Sequence, residues 1–397
     1  MSTVPFLDRR RFLALAGLGG AGALASPALG ALLGWMKEAA ASPVRWREAE
    51  FYKRLPNKEI LCYVCPFDCH LFEDEMCRCR TRTNIGGKLM TPAWENPCII
   101  RVDPVEKMPL NHFLPGEEQV SVAVGGCMLR CLYCQNWQQS QRRPQTLRNF
   151  NCTASEAVGG VLRRGENPGA DGKPCRTIGF TYTEPIAWLE YAKAVGTYAK
   201  KKKVRVVMAS SMFFKEKALR DTCRYVDAFA AALKGWGDLF YHKVVGTRDP
   251  AEKHGDFKAV LRALEVAREE GVWMEITNLL VPTYNDDMKK IRQMCRWIVK
   301  NLGADVPLHF GRFVPEFKLK NLPRTPVATL EEARNIGLEE GIRFVYTSNI
   351  APHVGNNTYC PRCGAKVVSR LGFKILSNCL KDGACPKCGE TFPGIWS

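Results

Sequence analysis

Residues 119–124, Gln-Val-Ser-Val-Ala-Val, alternate polar and apolar with the period of a half-buried strand, and two glycines then turn the chain sharply. Apolar runs at 177–182, 204–209, 225–230, 273–280, 307–313 and 343–346 read as further strands. Between them lie amphipathic helical stretches. Phe257, Val260, Leu261, Leu264 and Ala267 repeat at helical spacing, and Thr153 with Glu156 and Thr329 with Glu332 have the form of capping boxes. Strands alternating with helices predict an α/β fold whose parallel sheet is joined by right-handed crossovers. Six such units form a partial (βα)6, TIM-like barrel, and its open side would admit a large substrate, a protein included.

The flanks are organised differently. Residues 1–42 read as a leader: Asp8-Arg9-Arg10-Arg11-Phe12-Leu13 resembles a twin-arginine export signal, with an Ala/Gly/Leu-rich stretch behind it and Ala39-Ala40-Ala41 as a cleavage site. The leader predicts export to a periplasmic or membrane-associated location. Cytoplasmic residence is the alternative, and an uncleaved amphipathic anchor is another reading of the same residues. Residues 43–117 form a Cys-rich, metal-binding region, 118–350 the barrel, and 351–397 a C-terminal module.

Composition sharpens the picture in two places. A formal charge of +17 permits nucleic-acid binding, but the cations are spread along the chain, no nucleic-acid motif is present, and Lys200 to Lys203 close a predicted helix. No nucleic-acid partner is expected. The 18 cysteines fall mostly in CxxC-type clusters, which argues for metals over disulfides.

Three clusters stand out. Cys127, Cys131 and Cys134 make a CxxxCxxC loop at the C-terminal end of the first barrel strand. α/β barrels place their chemistry at that end. A cubane 4Fe-4S cluster takes four ligands, so three thiolates leave one iron open to chelate a substrate through its amino and carboxylate groups. A zinc loop would lack its fourth ligand. Cys360-x2-Cys363-Gly and Cys385-x2-Cys388-Gly, separated by 21 residues, form the two knuckles of a zinc ribbon, with a tetrathiolate iron centre as the alternative. Cys62, Cys65, Cys69, Cys77 and Cys79 supply enough thiolates for a structural zinc or a second cluster. Cys98, Cys152, Cys175, Cys223, Cys295 and Cys379 read as small hydrophobes.

The cysteine loop resembles the radical S-adenosylmethionine (SAM) superfamily, whose open iron binds SAM and whose cluster cleaves it to a 5'-deoxyadenosyl radical. That resemblance implies that Tyr133 packs on adenine, and that Glu184, in Thr181-Tyr182-Thr183-Glu184-Pro185, accepts from the SAM ammonium. Lys234 matches a lysine that relatives precede by aspartate two positions earlier, where this chain has Ala232. Ser210-Ser211 stands where relatives show Thr-Asn or Asp-Thr. Glu275, Thr277, Asn278, His309 and Arg312 are candidates to point into the barrel. Thr277 or Asn278 would hold ribose hydroxyls and Arg312 a carboxylate, although any of them also serves as a satisfied core polar group.

The N-terminal cysteine set, CMLRCLYC, FTYTEP, GVWMEITNLLVPTYND, PLHFGRFVPEFKL, the TPVATLEEA helix, NNTYCPRCG and CPKCG together resemble the AmmeMemoRadiSam-system radical SAM enzymes over residues 55 to 396. Those enzymes are similar to pyruvate formate-lyase activating enzymes. By that resemblance Cys62, Cys65, Cys69 and Cys79 are the N-terminal metal ligands. It implies an oxidoreductase carrying a 4Fe-4S cluster, SAM and zinc, which abstracts hydrogen from a protein or small molecule. The implied partners are Memo-like and AMMECR-like proteins and an electron donor. The competing expectation is an exported iron-sulfur, zinc-binding or electron-transfer protein that keeps the fold without SAM cleavage.

Overall fold

The computed structural model describes residues 44–247 and 257–397, with the backbone alone at Glu38–Ala39. The rest of the leader, and with it the twin-arginine reading, lies outside the described residues.

The predicted alternation becomes one eight-stranded sheet. Its strands are β1 (Ile99–Pro104), β2 (Glu118–Ala123), β3 (Cys175–Phe180), β4 (Arg205–Ser210), β5 (Ala228–Ala232), β6 (Trp273–Leu280), β7 (Leu308–Arg312) and β8 (Val345–Ser348). They stand in sequence order, β2 to β8 all parallel and β1 antiparallel at the edge. β8 and β1 do not pair, so the barrel stays open between them. The crossovers carry α1 (Ala154–Glu166), α2 (Leu189–Lys201), α3 (Glu216–Cys223), α4 (Phe257–Glu269), α5 (Met288–Asn301) and α6 (Val327–Glu339).

Local chemistry sets several of these boundaries. Thr153 opens α1 through a reciprocal capping box: Glu156 N donates to its Oγ1 at 3.3 Å while Thr153 N donates to Glu156 Oε2 at 2.7 Å. Such a cap is worth about 1 kcal/mol. The second predicted box is a miss. α6 starts at Val327 after Pro326, so Thr329 already lies inside the helix. Proline's fixed φ, here −57°, sets the entry one turn earlier. The strand expected at 225–230 begins at Ala228 instead, because the N–H groups of Tyr225 and Val226 both donate to Thr222 O and finish the turn after α3.

β1 was not anticipated, and it matters because it links the Cys-rich region to the barrel. That region is built from short hairpins, among them Tyr52–Arg54, Ile60–Cys62 and Cys69–Leu71, whose register sets Cys62 opposite Cys69. At the other end, β9 (Thr358–Tyr359), β10 (Lys366–Leu371) and β11 (Lys374–Asn378) form the ribbon sheet. The ribbon is fastened to the barrel. Leu114 N donates to Ile395 O, Ile395 N to His112 O, and the buried Arg370 to Asn111 O at 2.9 Å.

Candidate functional site

The chain leaves β2 at Ala123 and turns through Gly125 and Gly126 into the three cysteines. Gly126 has φ +103°, and a Cβ there would meet Cys79 O at 2.8 Å and Thr81 Cγ2 at 2.3 Å, so only glycine fits. The loop is held from the far side by the π-helical turn Tyr241–Val245. Arg130 N and Leu132 N donate to Val245 O and Val244 O at 3.0 and 2.9 Å. Arg130 and Arg78 add guanidinium bonds to Cys127 O, Leu129 O and Met128 O. The loop's backbone is thus held by hydrogen bonds from the protein itself.

The thiols have donors of their own. Leu129 N lies 3.3 Å from Cys127 Sγ, and Ser140 Oγ 3.3 Å from Cys134 Sγ. Burial pushes the Cys131 thiol up to about 11, with Lys234 pulling the other way, and raises Cys127 as well. Metal binding must therefore displace protons here.

Around the loop the structure gathers several predicted residues. Glu184 is buried, accepting from Ser210 Oγ at 2.8 Å and Ser211 N at 2.9 Å. Burial raises its pKa, which the Ser211 and Ser210 bonds and the charge of Lys234 oppose. The charge of Lys234 is felt by both Cys131 and Glu184. Tyr133 is buried and stacks toward Phe240, ring centres 6.5 Å apart. Phe240 lines a cavity of about 240 Å³ together with Trp236, Asn278, Asn285 and Met294. Among the buried polar atoms without partners, Tyr133 Oη sits on the loop itself and remains available to a ligand. Three thiols, a carboxylate, a cation and a free hydroxyl fit a cubane with an amino-acid-bearing ligand on its open iron.

The other candidates go elsewhere. Asn278 faces the helix layer, donating to Leu233 O at 2.7 Å with Met294 Sδ at 3.6 Å, so Thr277, its neighbour in the strand, points to the opposite face. His309 bonds Glu275 at 2.7 Å and stacks on Tyr346. Glu275 also accepts from the N–H groups of Asn111 and His112, and His112 Nε2 meets Tyr346 Oη at 2.7 Å. His309 thus belongs to a closed polar network inside the barrel, as the satisfied-core reading allows. Arg312 donates to Thr325 O at 2.8 Å and holds the loop after β7. The network around Glu275 escaped sequence reasoning, since His112 comes from outside the predicted barrel.

In the ribbon, Cys360 and Cys388 lie 3.5 Å apart and Cys363 and Cys385 3.8 Å apart, and all four sulfurs fall within 4.8 Å of one another. Gly364 N and Gly389 N donate back to Cys360 O and Cys385 O at 2.9 Å each, the same knuckle twice. Among the described residues this is the one group of that compactness. The five N-terminal cysteines are all buried, and the Cys77 thiol faces those of Cys62, Cys69 and Cys79.

The radical SAM superfamily profile matches residues 121–295. An uncharacterised protein of Methanocaldococcus jannaschii is 38% identical over 347 residues, covering 87% of this chain and 98% of its own. Among solved structures, a radical SAM methyltransferase from Sphaerobacter thermophilus aligns with TM-score 0.43 and 16% identity over 60% of this chain and 68% of its own. A domain of a pyruvate-formate lyase-activating enzyme from Bacteroides vulgatus aligns with TM-score 0.35 and 12% identity over 43% and 98%.

Proposed function

This chain belongs to the radical SAM superfamily, and on that footing we propose an oxidoreductase that cleaves SAM reductively and abstracts hydrogen from a protein or small-molecule substrate, as activating enzymes do. The observation that carries the reading is the hydrogen-bonded Cys127, Cys131, Cys134 loop with the Glu184 carboxylate and the Lys234 charge beside it. Once bound by those thiolates, a 4Fe-4S cluster supplies the electron that breaks the carbon-sulfur bond of SAM. Glu184, oriented by Ser210 and Ser211, takes the ammonium of SAM. Tyr133 offers an apolar face to adenine. The gap between β8 and β1 is the entrance for substrate.

The finer reading is an AmmeMemoRadiSam-system enzyme working with Memo-like and AMMECR-like proteins and an electron donor, exported by its twin-arginine leader. Its motif order supports this. For the ribbon we assign zinc: a tetrahedron with Zn–S bonds of about 2.3 Å has edges of roughly 3.8 Å, close to the sulfur separations there. Ala232, where relatives carry aspartate, favours a second reading, an electron-transfer protein that no longer cleaves SAM.

Anaerobic reconstitution with dithionite and SAM separates the two. The enzyme releases 5'-deoxyadenosine in proportion to its iron and sulfide. A fully loaded protein that releases none refutes the first reading.

A further inference from the structure

The N-terminal thiols lie directly against the cysteine loop. Cys127 N donates to Cys79 O at 3.2 Å, and the glycine at 126 lets the two backbones approach that closely. All five thiols of Cys62, Cys65, Cys69, Cys77 and Cys79 are at most 7% exposed. Yet among the described residues no three of them have sulfurs all within 4.8 Å of one another, and the same holds for Cys127, Cys131 and Cys134. The ribbon thiols, 3.5 and 3.8 Å apart in pairs, stand instead at the spacing of a single tetrahedral ion. A cubane spreads its thiolates over separate irons and needs the wider pocket.

The surroundings suit an anionic, redox-active group. Arg82 is fully buried; one side of its guanidinium grips Glu190 at 2.8 and 3.1 Å, Nη1 points to Cys62 Sγ at 3.9 Å, and Nε has no partner. Arg80 Nη1 is a second buried donor without a partner, and Arg80 feels the charges of both Cys127 and Cys79. Thr81 Oγ1 gives its one proton to Ala187 O and lies 3.1 Å from Cys79 Sγ. Donors aimed at sulfur tune a cluster's potential, whereas zinc has no redox chemistry to tune.

We propose that this pocket holds a second iron-sulfur cluster through four of its five thiols, placed to pass single electrons to the site at Cys127. A low-potential one-electron protein donor reduces it by one electron. That electron moves on to the neighbouring cluster and finally into the carbon-sulfur bond of SAM, which leaves the second centre oxidised again. The site stands on the pocket itself; its role as a relay rests on the function proposed above.

Three reconstituted proteins test it: wild type, the Cys127→Ala/Cys131→Ala/Cys134→Ala variant and the Cys62→Ala/Cys69→Ala variant. Wild type should carry about twice the iron of either variant, and its reduced EPR spectrum should show spin coupling that both variants lack. Should the second variant fail to fold, Arg80→Gln serves instead: iron content unchanged, the potential of one cluster lowered by loss of the buried cation. A triple variant that binds zinc and no iron overturns the proposal. A wild type with two coupled clusters that releases no 5'-deoxyadenosine upholds the site and refutes the enzyme reading.

Discussion

The carboxylate of Glu184 is oriented by Ser210, whose hydroxyl donates to Oε1 at 2.8 Å while the next residue's N–H takes Oε2. Both lie at the C-terminal ends of neighbouring strands, where a ligand on the Cys127 loop would present its ammonium. Glu184→Gln keeps the shape and removes the charge. A charge-assisted hydrogen bond is worth about 1.5–3 kcal/mol, so SAM affinity should fall roughly 10- to 100-fold. Equilibrium dialysis on the reconstituted protein measures it; unchanged affinity would mean that the ammonium sits elsewhere.

Cys131→Ser should abolish 5'-deoxyadenosine formation, because two thiolates cannot hold an open-iron cubane in place. The ribbon is far along the chain and has its own ligands, so the zinc proposed for it should remain. Metal analysis beside product chromatography checks both halves.

Cys385→Ser should cost one zinc per chain and expose the C-terminal region to protease, with the iron of the barrel unaffected. Metal binding at such sites is folding free energy, added here to the packing of Val367 and Val368 against Phe344 and Phe392. Retention of zinc and of protease resistance would count against a structural role.

His112 supplies a pH dependence. Burial holds its pKa down at about 4, against the pull of Glu275, while the unfolded chain titrates near 6.5. Between those values the unfolded state binds more protons, so stability rises with pH there and is level above. The slope is up to about 1.4 kcal/mol per pH unit. Urea midpoints from pH 4 to 8 should show it in wild type and less of it in His112→Gln.

Arg9 and Arg10 are read by a receptor and not by the bilayer, so replacing both with lysine should stop export at constant charge. Fractionation and N-terminal sequencing give the answer. Wild type found only in the cytoplasm with its first residues intact would refute the leader.

Much of this was legible in the chain because its signals are local. β6 was expected at 273–280 and lies at Trp273–Leu280; the Thr153 cap was read from two residues three apart. The cysteine loop and the ribbon knuckles also declare themselves within a few residues. What escaped is non-local. β1 has an unremarkable sequence and becomes a strand by pairing antiparallel with β2. His309 looked like a ligand until Glu275, His112 and Tyr346 came together around it from three separate segments. Arg82 gave no warning of its burial, since its partner Glu190 is 108 residues away.

His112 also meets Pro393 O, 281 residues later, at 2.7 Å. On the ribosome that bond comes almost last. The cysteine loop, complete by residue 134, emerges long before the barrel's inner network can close around Glu275, and the ribbon that fastens to Asn111 and His112 is made at the very end. During most of synthesis His112 and Leu114 therefore lack the C-terminal carbonyls that accept from them. Slowing translation over the final forty or so codons would lengthen that interval without changing a single residue of the finished protein.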